Sequence, residues 1–188
     1  MDDIVKSALA KWPNVPHCYG WLALDRRGRW LLKGELLRLP NLDAFIARNY
    51  AHDDAGNWFF QNGPQRVYVE LAYAPWVLHL TVDGLLETHT GQAVDDPVAA
   101  WIDDGGNLLL QWESGPALVD DRDLPMLLDA IRGANGRPAS EEALHAAMAG
   151  EAVPLTFHWR NVDFPLGFIR EADLPARYGF QRLPAANP

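Results

Sequence analysis

The 188-residue chain carries 25 Asp and Glu against 16 Lys and Arg, a formal net charge of −9, and 48% of its residues are hydrophobic. That apolar content can build the core of one ordinary domain or two small ones and excludes a disordered chain. No basic face is available for nucleic acid or anionic lipid, and no apolar run approaches the roughly 20 residues that cross a bilayer, so neither nucleic acid nor membrane is an expected partner.

Residues 3–12 place Ile4, Val5, Ala8, Leu9 and Trp12 on one helical face, with Asp2 or Asp3 suited to cap the start and Pro13 to end it. After an irregular stretch at 14–17, residues 19–24 and 29–32 form a hairpin around Asp25-Arg26-Arg27-Gly28. Leu39-Pro40 leads into a second helix, 41–50, whose face holds Leu42, Phe45, Ile46 and Asn49. Residues 53–80 read as three strands joined by two turns. Asp54-Ala55-Gly56-Asn57 precedes the aromatic strand Trp58-Phe59-Phe60, and Asn62-Gly63-Pro64 breaks it. Val67, Val69 and Leu71 then alternate with polar residues in a strand with one buried face, and Pro75 separates it from a strand over 76–82. Together these make an antiparallel meander.

Residues 91–97, polar and broken by Pro97, form the expected boundary between a first α+β subdomain, residues 1–94, and a second, residues 95–188. The second half restates the first: residues 99–102 and 108–112 flank the turn at Asp103-Asp104-Gly105-Gly106-Asn107, and Leu124-Pro125 opens a helix over 126–132. LPNLDAFI at 39–46 and LPMLLDAI at 124–131 share the pattern L-P-x-L-x-x-x-I, Leu174-Pro175 recurs near the end, and Gly28, Gly56 and Gly84 are 28 residues apart. Ser140 caps a helix that Gly150 terminates, strands over 153–159 and 166–170 flank a turn at 161–165, and the tail from Leu183 is loose. The fold class is therefore α+β, with two similar β-rich halves, each with antiparallel hairpins and a short helix.

Three stretches, residues 1–30, 49–77 and 171–180, resemble a family of small uncharacterised bacterial proteins, a domain of unknown function, and the resemblance runs the whole chain. More distantly, the order of a Trp-bearing strand, L-P helix, D-x-G turn, aromatic strand and Pro turn is similar to another unknown-function family with repeated α+β motifs in two subdomains. That second resemblance implies a signalling or ligand-sensing role. The chain departs from it at Gly63-Pro64-Gln65, where a Thr-Pro followed by a carboxylate belongs.

No stretch specifies a reaction. The six histidines, His17, His52, His79, His89, His145 and His158, lack zinc-motif spacing; His17-Cys18 and His52-Asp53-Asp54 come nearest to ligand clusters. No G-x-S-x-G or phosphate loop occurs, so no catalytic residue, metal or cofactor is expected. The single Cys18 excludes an internal disulfide framework, and no basic leader precedes an apolar block at the N-terminus, which makes a cytoplasmic location the expectation. Residues 95–129 hold nine acidic side chains against one base, Arg122. Solvated turn carboxylates are the bland reading of that segment and a surface for a basic partner the other.

Eight tryptophans are well above an ordinary share, and most read as core anchors. Trp58 and Trp76, however, flank a loop that offers Gln61, Asn62 and Arg66, and these five residues form the expected binding site. Arg66 is suited to grip a carboxylate or phosphate through two parallel hydrogen bonds. The functional expectation is a non-catalytic small-molecule-sensing or regulatory module for a small anionic ligand, with a protein-interaction module using the acidic segment second and a hydrolase third. The histidine spacing also predicts that purified protein carries no stoichiometric transition metal. Elemental analysis finding about one zinc per chain would overturn this.

Overall fold

One turn design recurs through the chain. At residues 25–29, 53–57 and 103–107 the N–H of the opening Asp donates to the carbonyl of the fifth residue, 3.0, 3.0 and 3.1 Å. Its carboxylate accepts from the third and fifth N–H groups at 2.7–3.1 Å. The fourth residue is a glycine in the left-handed region: Gly28, Gly56 and Gly106 have φ of 71, 80 and 77°. Thr81 and Thr88 open turns of the same shape, their hydroxyls accepting from the fifth N–H alone at 3.1 and 3.0 Å, ahead of Gly84 and Gly91. The three glycines spaced by 28 residues are thus the same position of three such turns, each a three-residue hairpin loop of the bulged type.

The structure, a computed structural model, describes residues 1–12 and 15–185. The helix stop expected at Pro13, the irregular start at Asn14 and the last residues of the tail lie outside them. In chain order the elements are α1 (Asp3–Lys11), β1 (Cys18–Leu24), β2 (Trp30–Leu32), β3 (Glu35–Leu36), α2 (Pro40–Arg48), β4 (Tyr50–His52), β5 (Trp58–Asn62) and β6 (Gln65–Leu71). They continue with β7 (Trp76–Leu80), β8 (Leu86–Thr88), β9 (Ala93–Val94), β10 (Ala99–Asp103), β11 (Leu108–Trp112), β12 (Gly115–Val119), α3 (Leu124–Leu127), β13 (Ile131–Arg132), α4 (Glu141–Met148), β14 (Thr156–Trp159), β15 (Val162–Ile169) and α5 (Leu174–Tyr178). The fold is α+β. A six-stranded sheet has the order β3-β2-β1-β6-β5-β4, and a nine-stranded sheet the order β13-β14-β15-β10-β11-β12-β7-β8-β9. Taken from β12 to β13, the second sheet has the strand order of the first, each with a parallel pair at its centre, β1–β6 or β10–β15, and antiparallel hairpins on either side.

The expected meander breaks where the chain changes sheet. β5 and β6 pair as expected, Asn62 opposite Gln65 across the two-residue turn Gly63-Pro64. β7 instead joins the larger sheet, parallel to β12 and antiparallel to β8. The open edge of β6 is already occupied by β1, so the crossing at residues 72–75 leads away. The same parallel pairing places β6 in mid-sheet, and Tyr68 is buried along with Val69 and Leu71, so both faces are covered rather than one. The passage between sheets falls at 72–75, whereas position 94/95 separates β9 from β10 within one sheet.

All three L-P words open helices, with Pro in the first two positions of α2, α3 and α5. Their sequels diverge. Ile46 is buried on α2, but α3 is a single turn followed by 3₁₀ residues, and Ile131 is buried as the first residue of β13; the helix expected over 126–132 is therefore cut short. α4 follows its expectation, Ser140 accepting from the Ala143 N–H at 3.3 Å. The turn expected at 161–165 is the tighter Arg160-Asn161, and Pro165 lies inside β15. It is tolerated because pairing with β10 begins only at Leu166, leaving the strand one neighbour at that point. The C-terminal segment is partly anchored: the Leu71 N–H donates to the Arg182 carbonyl at 2.8 Å, and Pro184 is buried while Leu183 is exposed. No helix among the described residues is long and apolar enough to cross a membrane.

One core runs through both sheets, and its centre is aromatic. The buried Trp76 ring meets Trp58 at 5.2 Å, Trp112 at 5.4 Å, Tyr50 at 5.6 Å and His89 at 5.7 Å, and its indole N–H donates to the Ser114 carbonyl at 3.0 Å. The His89 Nδ1 accepts from the Val77 N–H at 3.3 Å, which puts its proton on the buried Nε2. Burial, then the nearby His79, pushes the His89 pKa from 6.5 down to about 3.

Two predictions follow from this centre. Trp76→Ala should cost about 3–5 kcal/mol in urea unfolding, whereas Val82→Ser, at a fully exposed position, should stay within about 0.5 kcal/mol; comparable losses would deny the cluster its role. Between pH 6.5 and about 3 the unfolded chain binds a proton at residue 89 that the folded chain refuses. The stability held above pH 6.5 should therefore fall on acidification, by up to about 1.4 kcal/mol per pH unit from this residue. His89→Phe should lose that component, read as the difference between the two proteins' stability curves against pH; parallel curves would count against a neutral buried His89.

Candidate functional site

The first sheet and α2 do not close completely on each other. Between them lies an open cavity of ≈ 430 Å³, lined by Cys18, Trp21, Leu22, Leu32, Leu37, Leu42, Ile46, Phe60, Asn62, Gln65 and Val67. Its construction follows from local rules. Leu42 and Ile46 are four residues apart on α2 and so share the face turned to the sheet. Phe60 and Asn62 on β5, with Gln65 and Val67 on β6, present alternate side chains to the same side.

Strict alternation along β1 would not bring Trp21 here beside Leu22. The register slips between Cys18, opposite Val67, and Leu22, opposite Val69, so β1 spends four residues where β6 spends two. Gly20, at φ 70°, takes the left-handed conformation that this bulge needs. The result is that Trp21, 48% exposed, forms one wall of the opening. Beside it, the Lys33 ammonium stands 3.6 Å from the Trp21 ring centroid.

Polar groups are few. The side-chain amide nitrogen of Gln65 donates to the Pro16 carbonyl at 2.8 Å, its side-chain oxygen has no hydrogen-bond partner among the described residues, and Asn62 is exposed. Cys18 is half-buried and free. No imidazole or carboxylate lines the cavity among the described residues. Nor do three His, Cys, Asp or Glu side chains converge anywhere among them in a way that could hold a metal ion.

The five expected site residues are dispersed. Asn62 lines the cavity. Trp58 and Trp76 are buried in the central aromatic cluster. Gln61 is buried too, and its amide nitrogen braces its own hairpin at the Gly63 and Gln65 carbonyls, 2.9 and 3.3 Å. Arg66, directly opposite Gln61 in the register, is on the other face of the sheet with its guanidinium 4.4 Å from the Phe59 ring centroid. Period-two alternation separates 61 and 66 from 62, and sequence proximity within one loop concealed it. The walls that were missed left only a faint trace in the sequence: a glycine inside the first strand, and Leu42 with Ile46 on one helical face.

The acidic segment is largely spent internally. Asp103 and Asp120 are buried. Asp103 accepts from the Tyr73 hydroxyl at 2.5 Å, and burial followed by this bond drives the Tyr73 pKa far above its usual range. Asp120 holds the Arg122 Nε at 2.9 Å and stands 3.2 Å from His79 Nδ1. Arg27 grips Asp121 through two bonds of 2.8 Å, which hold that carboxylate down at about 2, and Asp123 accepts from the Leu80 N–H at 2.9 Å. Asp104 accepts from the Glu171 N–H at 2.9 Å, and Asp95 meets Arg160 at 3.4 Å.

Comparison with solved structures finds a protein of the DUF1285 family from Silicibacter pomeroyi DSS-3, similar at a TM-score of 0.53 and 15% identity over 89% of this chain and 96% of that one. At that identity the likeness shows the fold alone. A second DUF1285 family protein, from Shewanella baltica OS155, has a TM-score of 0.39 at 14% identity, over 57% of this chain and 89% of that one. No curated protein matches the sequence. The DUF2944 family model, described as "Protein of unknown function (DUF2946)", matches residues 1–185, and the chain belongs to that family.

Proposed function

We propose that the protein is a non-catalytic module of the cytoplasm that senses or regulates by holding one small molecule in the cavity between the first sheet and α2. The observation that carries this reading is the cavity itself: ≈ 430 Å³, within the roughly 300–1,000 Å³ of small-molecule sites, with apolar walls and a few polar groups at one side. A lining without imidazole or carboxylate, as here among the described residues, favours binding over chemistry. Asn62 is the one member of the expected site that this reading keeps.

The two halves are, on this proposal, copies of one unit put to different uses. Their shared strand order and paired L-P words support it. In the second half α3 is too short to stand off the sheet, and α4, without a counterpart in the first half, packs into the core there through Leu144, Ala147 and Met148.

Leu42→Trp should fill the cavity. Native protein is expected to bind the neutral fluorophore N-phenyl-1-naphthylamine at one site. The variant should lose that binding while its melting temperature falls by no more than about 4 °C, the shift of about 1 kcal/mol in a chain of this size. Undiminished probe binding by a folded variant would refute the site.

A further inference from the structure

We infer that the ligand of this cavity is an amphipathic carboxylate, an apolar body ending in one anionic head that meets the Lys33 ammonium at the Trp21 side of the mouth. The inference rests on the reading of the cavity as a ligand site and adds the ligand's charge and orientation to it.

Lys33 and Gly34 are the two central residues of the β2–β3 turn, with φ of 50 and 84°. Turns with both central residues left-handed favour Asn-Gly, because Asn tolerates that conformation and a long side chain is strained in it. Here the strained position carries a lysine, and the fold fixes where its charge goes. The Lys33 N–H donates to the Trp21 carbonyl at 2.7 Å, and the ammonium is 3.6 Å from the centroid of the Trp21 ring, itself a wall of the cavity.

That cation is not neutralised. Among the described residues no carboxylate oxygen lies within 4.0 Å of it, although Glu35 is two residues away. An indole face satisfies an ammonium from one side only and leaves N–H donors for an anion. The polar members of the lining, Asn62 and Gln65, are neutral amides, and no lining residue among those described is charged. Lys33 therefore sets a positive charge beside an uncharged cavity. On a chain with a net charge of −9, an anion approaches only where a cation is held locally. An apolar body along Leu42, Ile46 and Phe60 would point its head at Lys33.

The test is displacement of N-phenyl-1-naphthylamine by decanoate, decan-1-ol and decylamine, which share one chain length and differ in charge. Decanoate should displace the probe at a concentration about tenfold below decan-1-ol, the ratio expected of about 1.4 kcal/mol, and decylamine should be weakest. Lys33→Asn suits the turn and should fold normally; it should abolish the preference for decanoate, whereas Lys33→Arg should keep it. Equal displacement by the acid and the alcohol, or a preference that survives Lys33→Asn, would overturn the inference while leaving an apolar ligand site standing. Failure of the native protein to bind the fluorophore at all would remove both.

Discussion

The two sheets are joined through the Trp76 indole, and most of the fold depends on that contact. Trp76 is the first residue of the first strand in the larger sheet, yet its ring is packed among Tyr50 and Trp58 from the smaller one. Aromatic pairs of this kind contribute roughly 0.5–1.5 kcal/mol each beyond the area they bury, so four contacts on one ring outweigh any surface ion pair in the molecule. The arrangement has a polar cost. Trp76 finds an acceptor at Ser114, but the indole nitrogens of Trp30, Trp101, Trp112 and Trp159 are buried without a protein partner among the described residues. Each unmatched N–H offsets about 1–3 kcal/mol of what its ring contributes. A core this rich in indole is therefore well packed without being correspondingly over-stable.

Charge serves the same junction. The tip of the first hairpin approaches the larger sheet so closely that a Cβ on Gly28 would stand 2.5 Å from that of His89, and Arg27 beside it grips Asp121. From the same turn Arg26 joins Arg182 on Glu171, 3.3 and 2.9 Å, and Arg26 also covers the Tyr73 ring at 4.5 Å. The acid-rich segment consequently acts as a set of turn locks and inter-sheet clasps. Six of its nine carboxylates have protein partners, and a basic partner protein would have to compete with them.

What was legible in the sequence was local. The Asp- and Gly-bearing turns, the L-P helix starts, the Ser140 cap and the Asn-Gly-Pro hairpin depend on residues within five of one another, and they stand at or within a residue of the expected places, the turn expected at 54–57 opening at Asp53. The partition into two sheets was hidden because it depends on the parallel pairing of β1 with β6, some fifty residues apart, which no period or turn signal records. The five expected site residues part for a related reason. Trp58, Gln61, Asn62 and Arg66 are neighbours along a hairpin, but a hairpin has two faces, and burial of Gln61 beneath its own turn could not be read from composition. Conversely, Trp21 reaches the cavity only because β1 bulges, and Gly20 alone marked that.

The contrast between the halves shows how a small change in helix length decides whether a cavity opens between the sheet and the helix that an L-P word begins. In the first half α2 runs nine residues, so Leu42 and Ile46 form a second layer standing off the sheet. In the second half the equivalent word turns helical for four residues before Ile131 enters a strand and joins the sheet edge directly. A side chain in a strand is held at the sheet's own level, whereas one on a helix is carried by a separate backbone layer above it, and an imperfectly matched layer leaves space. α4 packs over the second sheet: the methyl of Met148 would come within 2.9 Å of a Cβ on Gly106, and Phe168 within 3.1 Å of one on Gly150. The first half has no such helix, because β4 and β5 are joined directly by the turn at residues 53–57. A cavity between sheet and L-P helix thus survives in the half where the helix is long and the hairpin short, and it is in that half that Trp21 forms a wall with the Lys33 ammonium against its ring.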